Sequence, residues 1–373
     1  MDIENEKISA RQLGRMLFYD FFALTSLLLP GILTKEFGMS GFFSLIAGYL
    51  GGYLFLRMIL AQMRKMMEKN QSFDNYLQHY FGKILTRAGL LYLLLFAGIG
   101  GAYGLYLLCD ITRQYLIRDT PVWLIVGVLA VLLIYGVSAG IESRGRMMEL
   151  LFWLFLLPII ALFLLAVWNV EPARWMPLVS KEGISVNKWL SKSYLVFAFF
   201  LNLTYLPVLT ENLHLSSNIS QACRKSYALC AGLNVILFLL LTGIFGAPTV
   251  AQMEEAALTL TAMVKVPGGF LERQDALLCG IWFVSVFLFV ENAMYASVWC
   301  AKRITGRNAH GYYVFGAGIC VGILAVLMYA NAWMREYLVR WYLAIGVPVM
   351  LLLAVVVTLW PLMKEMGNKE GLQ

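Results

Sequence analysis

The sequence predicts an all-α integral membrane protein: ten transmembrane helices in a 5+5 inverted repeat, with helices 1 and 6 interrupted. Three observations carry that prediction. The chain has 373 residues, 60% of them hydrophobic and 14% charged, and its apolar runs repeatedly reach the roughly 20 residues that span a bilayer. Those runs, at residues 13–33, 39–62, 85–108, 121–139, 147–168, 189–211, 225–247, 274–298, 312–331 and 339–363, divide into two groups of five. An odd number of spans per half makes the second half enter the membrane from the opposite side to the first. The opening run of each half carries polar residues and a proline in similar places: Asp20, Thr25, Ser26 and Pro30 in one, Asn202, Thr204 and Pro207 in the other. A single transmembrane domain, 1–373, is expected, with a first repeat at about 13–168 and a second at about 189–363.

Helix 1 organises the functional reading. Asp20 within hydrocarbon requires a partner, a proton or a water-filled cavity, and Pro30 withdraws a backbone N–H at membrane depth. Either proline alone is explained by a kink in a packed helix. Their matched placement points instead to unwound half-helix ends, whose free N–H and C=O groups bind a carboxylate and an ammonium group or ion. Amino acids fit such a site. In helix 2, Gly48, Gly51 and Gly52, and in helix 3, Gly98, Gly100, Gly101 and Gly104, make small-residue faces for close helix packing. The helix 3 glycines follow no strand, so they are not a nucleotide loop. Helix 8 carries Glu291 and Asn292, an acid that pairs with a nearby base or serves an ion step. The outer connections at 169–187 and 248–275 mix apolar and charged residues and read as surface segments or vestibule covers.

The formal charge is +7, but the basic residues lie in short connections between spans, where they set orientation, so nucleic acid is excluded as a partner. Of the 29 Lys and Arg, 18 fall on the side of the N-terminus, which places both termini in the cytoplasm. The 57–87 connection is the most basic and faces anionic membrane lipid. Six scattered cysteines and three isolated histidines give no metal centre, and no cofactor motif is present in the sequence. Residues 1–10 are acidic and polar and no cleavage pattern follows, so helix 1 is expected to be retained. No nucleophile–base pairing or phosphate loop supports an enzyme.

Particular words then appear in order: Ile8-Ser9 before helix 1, a Leu-Leu-Pro ending at Pro30, Thr120-Pro121-Val122-Trp123, Tyr135, Gly140-Ile141-Glu142-Ser143-Arg144, and Leu271-Glu272-Arg273-Gln274-Asp275. With them the chain resembles the spore germination permease family, the membrane-embedded B subunits of endospore germinant receptors, related to amino acid–polyamine–organocation transporters. The resemblance implies a nutrient-sensing subunit of the spore inner membrane, with a small germinant such as an amino acid held between helices 1, 3, 6 and 8. It also implies two partners, a larger membrane subunit and a lipoprotein subunit. Asp20, Thr25, Ser26, Tyr103, Asn202, Thr204 and Glu291 are the expected ligand residues, beside helix breaks at Pro30 and Pro207. The chain departs from the family pattern at Ala23 to Ser26 and Phe197 to Phe200, where relatives carry glycine or an acid. The alternative is a proton- or cation-coupled amino acid or amine transporter with Asp20 as the coupling acid; a purely structural membrane subunit is the third class. Physically, Thr120 reads as the cap of helix 4, and Glu142, Arg144, Arg146 and Glu149 as local ion pairs of the 4–5 connection.

Overall fold

The computed structural model describes residues 7–177, 186–213, 218–263, 274–307 and 309–370. The described chain is helical, in the order α1 (Ala10–Phe37), α2 (Gly41–Glu68), α3 (Phe73–Ile111), α4 (Val122–Ser138), α5 (Ile141–Ala166), α6 (Val186–Ala198), α7 (Ile219–Phe245), α8 (Ala247–Val250), α9 (Ala256–Met263), α10 (Gln274–Thr305), α11 (His310–Ala330), α12 (Ala332–Trp341) and α13 (Val347–Glu370). Eight helical stretches among the described residues are long and apolar enough to cross a membrane; the first, Ala10–Glu68, holds both α1 and α2, and the apolar α4 is shorter. Large apolar side chains such as Leu50, Leu54, Trp123 and Leu154 face outward, which suits a hydrocarbon surrounding and not water.

Local chemistry explains the element ends. Ser9 caps α1 through a capping box, its hydroxyl accepting from the Gln12 N–H at 3.2 Å while the Gln12 side chain accepts from the Ser9 N–H at 2.9 Å. The neighbouring Ile8 N–H donates to the Asn212 carbonyl at 2.7 Å, tying the segment before α1 to the end of the sixth apolar run. Gly82, at φ +74°, kinks α3 and separates an amphipathic first part from the expected span. Pro121 itself occupies the N-cap of α4, with no side-chain cap from Thr120.

The two expected helix interruptions part company. The α1 helix continues through Pro30 without a break. Hydroxyl bonds from Thr25 to Phe21 O, from Ser26 to Phe22 O and from Thr34 to Pro30 O clothe its carbonyls. In the sixth run, α6 gives way to a 3₁₀ helix over Phe199–Asn212 that contains Pro207. Such a run is unusually long, since 3₁₀ geometry rarely persists beyond a few residues. The last run is also irregular, with a π-turn, Tyr342–Gly346, between α12 and α13.

At the centre, α1 packs on α7, α10, α5 and the 3₁₀ helix, while α3 lies along α10. Small residues set these approaches: Gly101 and Gly104 meet Ala293, Val290 and Phe289 of α10, and Gly48 and Gly52 meet Val196, Phe200 and Tyr227. The second outer connection is no surface segment in its described part, because Leu258 and Leu260 are buried and α9 packs on α1, α7 and α10. In the first connection, Trp175 donates to the Leu239 carbonyl of α7 at 3.2 Å; residues 178–185 and 264–273, with Leu271, Glu272 and Arg273, lie outside the described residues.

A methyl group at Gly52 would overlap the Tyr227 hydroxyl and the Phe200 ring. Gly52→Val is therefore expected to destabilise the protein by about 1–3 kcal/mol, read as a lowered melting temperature in detergent, while Gly89→Ala, where no atom lies within 4 Å of the added carbon, is expected to leave it unchanged.

Candidate functional site

A chain of polar side chains crosses the centre of the bundle. The Asp20 carboxylate of α1 accepts from Asn292 Nδ2 of α10 at 2.8 Å. The amide oxygen of Asn292 accepts from Arg144 Nη2 of α5. The Arg144 Nε lies 3.1 Å from Glu291 Oε1, and its guanidinium stands over the Tyr295 ring at 4.7 Å. Arg144 is 1% exposed and Glu291 0%, so this ion pair is withdrawn from solvent and its two charges depend on each other. Gly136 of α4 lets the Glu291 carboxylate lie against that helix, since a carbon added there would come within 2.5 Å of Oε1.

Two spaces that share Asn202 as a lining residue adjoin the chain. A small one of about 20 Å³, lined by Asp20, Asn202, Tyr205, Asn292 and Tyr295, has room for about one water. Toward the C-terminal end of α1 lies a cavity of about 120 Å³, lined by Leu24, Leu28, Tyr103, Asn202, Phe289 and Tyr342 among others. Asn202, on the 3₁₀ stretch, borders both. The larger space is similar to a cavity that takes a benzene-sized guest, and its walls are mainly apolar, with the Asn202 amide and the Tyr103 and Tyr342 hydroxyls as polar points. The irregular backbone on two sides of it, the 3₁₀ helix and the π-turn that begins at Tyr342, is of the kind found at functional sites.

The structure brings some of the expected site residues together and separates others. Asp20 lines the small space, Tyr103 the larger one, and Asn202 both. Glu291 joins the chain through Arg144 but lines neither. Thr25 and Ser26 face away from the cavity: the Ser26 hydroxyl accepts from Trp282 Nε1 at 3.0 Å, and Thr25 lies beside Tyr49 and Cys230. Helical geometry puts Leu24 and Leu28, four residues apart, on the cavity face in their stead. Thr204 donates to the Leu201 carbonyl at 2.7 Å and, with Pro207, lines a separate groove of about 110 Å³ beside Gln62 and Thr86. Pro30 does not line the cavity, although Leu28 and Ile32 on either side of it do, and the neighbouring Gly31 abuts the Met253 carbonyl.

Arg144 is the functional residue that sequence reasoning misplaced. Arg146 and Glu142 form the expected local pair, but Glu149 pairs with Arg11 of α1 and Arg144 turns inward to Glu291. The available signal was an unpaired membrane acid, Glu291, in a chain with few bases near span centres. Lys302 and Arg303, adjacent in sequence, are not its partners, for Arg303 pairs with Asp74 at 3.6 Å and with Glu211. A second group also escaped a search centred on His and Cys: Asp110, Glu254 and Glu255 place one carboxylate oxygen each within 4.8 Å of one another. Burial, then the charges of Asp110 and Glu254, push the Glu255 carboxyl up to about 7.

Comparison with known proteins accords with this geometry. The family model for spore germination proteins matches residues 7–336. The chain belongs to the spore germination protein family. This chain is 21% identical over 295 residues to spore germination protein YndE of Bacillus subtilis (strain 168), covering 78% of this chain and 79% of that one. It is 24% identical over 334 residues to spore germination protein KB of the same organism, covering 88% of this chain and 87% of that one. In three dimensions it is similar to a substrate-bound Na⁺-coupled sialic acid symporter (TM-score 0.68, 12% identity, 96% of this chain and 78% of that one). It is also similar to Mhp1, a nucleobase-cation-symport-1 transporter with bromovinylhydantoin bound (TM-score 0.69, 12% identity, 96% and 80%), and to MhsT in complex with L-phenylalanine (TM-score 0.67, 13% identity, 94% and 89%). These likenesses show the fold of the chain, that of transporters built from inverted repeats, and its apolar helices and family make it an integral multi-pass membrane protein.

Removing one partner of the buried pair leaves the other charge stranded. Arg144→Met is expected to lower stability by about 3–5 kcal/mol, and Arg144→Met/Glu291→Leu to recover most of that loss; a double-mutant cycle of thermal unfolding in detergent checks this, and additive losses would contradict it.

Proposed function

We propose that this chain is the nutrient-sensing membrane subunit of a spore germinant receptor. It takes a small nutrient with an apolar body and one hydrogen-bonding group, such as an apolar amino acid, into the cavity between α1, α3, the 3₁₀ helix and α10. The observation that carries this reading is the apolar cavity of about 120 Å³ whose Asn202 borders the Asp20 space, in a chain of the spore germination family. The carbon skeleton is held by Leu24, Leu28 and Phe289, and Asn202 with Tyr103 supplies the polar contacts. A neighbour of the same fold, MhsT, is in complex with L-phenylalanine, a nutrient of that class.

In this proposal the spans are ten, in two repeats of five (about 13–168 and 189–363) within one domain, with both termini cytoplasmic and the protein in the spore inner membrane. Occupation favours one arrangement of the bundle through differential affinity. The 3₁₀ stretch is the element that changes, since it contacts both the ligand space and the helix packed behind it. The change passes to a larger membrane subunit and a lipoprotein subunit. Asp20 is the observation that favours a second reading, a proton- or cation-coupled transporter of an amino acid or amine: it is an acid at a water-sized space next to the ligand cavity.

Deleting the gene and scoring spores against a nutrient panel separates the two readings. A nutrient-specific germination defect with normal uptake in growing cells is expected; normal germination with one lost uptake activity would leave the transporter. Within the receptor, Asn202→Leu is expected to raise the nutrient concentration for half-maximal germination by up to about tenfold, the worth of a hydrogen bond. Thr204→Val, in the separate groove, is expected to leave it unchanged.

A further inference from the structure

The long helix α3 ends beside the short segment between α8 and α9, and there Asp110, Glu254 and Glu255 converge. One carboxylate oxygen from each lies within 4.8 Å of the other two. Glu255 is 5% exposed, and its Oε2 has no hydrogen-bond partner although it is buried. An uncompensated buried carboxylate oxygen is costly. Two cations stand nearby, Arg113 and Arg335, and both are engaged elsewhere. Arg113 donates to the Tyr329 hydroxyl at 2.6 Å and reaches toward the Arg118 carbonyl, and Arg335 lies over the Tyr106 ring at 5.0 Å. Among the described residues neither makes an ion pair with any of the three carboxylates.

We propose that Asp110, Glu254 and Glu255 form a binding site for a hard divalent cation of the calcium class, which clamps the end of α3 to the α8–α9 cap. The donor set consists of oxygen alone, which selects calcium, magnesium or manganese over softer metals. Its irregular geometry, with one ligand on a helix end and two on a connecting segment, suits the adaptable coordination of calcium better than the strict octahedron of magnesium. The buried Oε2 of Glu255 gains the partner it lacks, and the repulsion among three carboxylates is relieved. The cap that the ion holds is the one packed over α1, where Gly31 abuts the Met253 carbonyl. Cation occupancy therefore fixes the lid nearest the C-terminal end of α1, whether or not the central cavity takes a nutrient.

The test is calcium binding to the detergent-purified full chain after chelator stripping, by equilibrium dialysis with labelled calcium alone and by thermal unfolding with and without the ion. One saturable equivalent, accompanied by a raised melting temperature, is expected. Glu255→Gln and Asp110→Asn are each expected to weaken binding roughly tenfold or more, since each removes one charged ligand. The partly buried Asp110 variant carries the test if the Glu255 variant does not elute as a folded monodisperse species. Absence of saturable binding at millimolar calcium, or unchanged affinity in a folded variant, would overturn the proposal.

Discussion

The buried Arg144–Glu291 pair constrains the rest of the structure. A charge in the interior of a membrane protein is tolerated only when its partner is fixed, and here the partners come from α5 and α10, with Asn292 extending the connection to Asp20 on α1. Three helices from both ends of the sequence are thereby set in one register. Gly136 is small because Glu291 lies against it, and Tyr295 is aromatic where the guanidinium stands. Beside the polar chain, beyond Asn202, the lining becomes apolar, and there the ligand-sized cavity begins.

Much of this architecture was legible in the sequence because membrane spans announce themselves by length and apolar content. The glycine faces of α2 and α3 were legible for the same reason, as close packing needs residues without side chains. Asp20, Asn202 and Tyr103 are polar groups in spans, and the structure places them on two neighbouring spaces that share Asn202. Thr25 and Ser26 were expected at a helix break, but hydroxyls can satisfy nearby carbonyls without any break. Once α1 stays wound, helical periodicity turns them away and brings Leu24 and Leu28 forward. Pro30 and Pro207 look alike in sequence, and only the second lies in a stretch that leaves α-helical winding. Composition does not decide that difference.

Arg144 and the Asp110 cluster were hidden for another reason. Arg144 belongs to a charged connection in which only Glu142 and Arg146 pair with each other locally, while Glu149 reaches Arg11 of α1, and nothing in the spacing distinguishes the residue that turns inward. Asp110 is separated by more than a hundred residues from Glu254 and Glu255, so their convergence is a product of tertiary structure alone. Both cases follow a rule for membrane chains: the side chains that decide electrostatics are few, and their partners are set by helix packing more than by sequence distance.

The central claim is that a germination-active nutrient occupies the cavity bounded by Leu28, Tyr103 and Asn202. Its most direct test is the rate at which a membrane-permeant maleimide labels Leu28→Cys in the full chain in spore membranes. Nutrient at concentrations that trigger germination is predicted to slow that labelling, with the lipid-facing Leu50→Cys unaffected. Equal labelling rates at Leu28→Cys with and without the nutrient would contradict the claim.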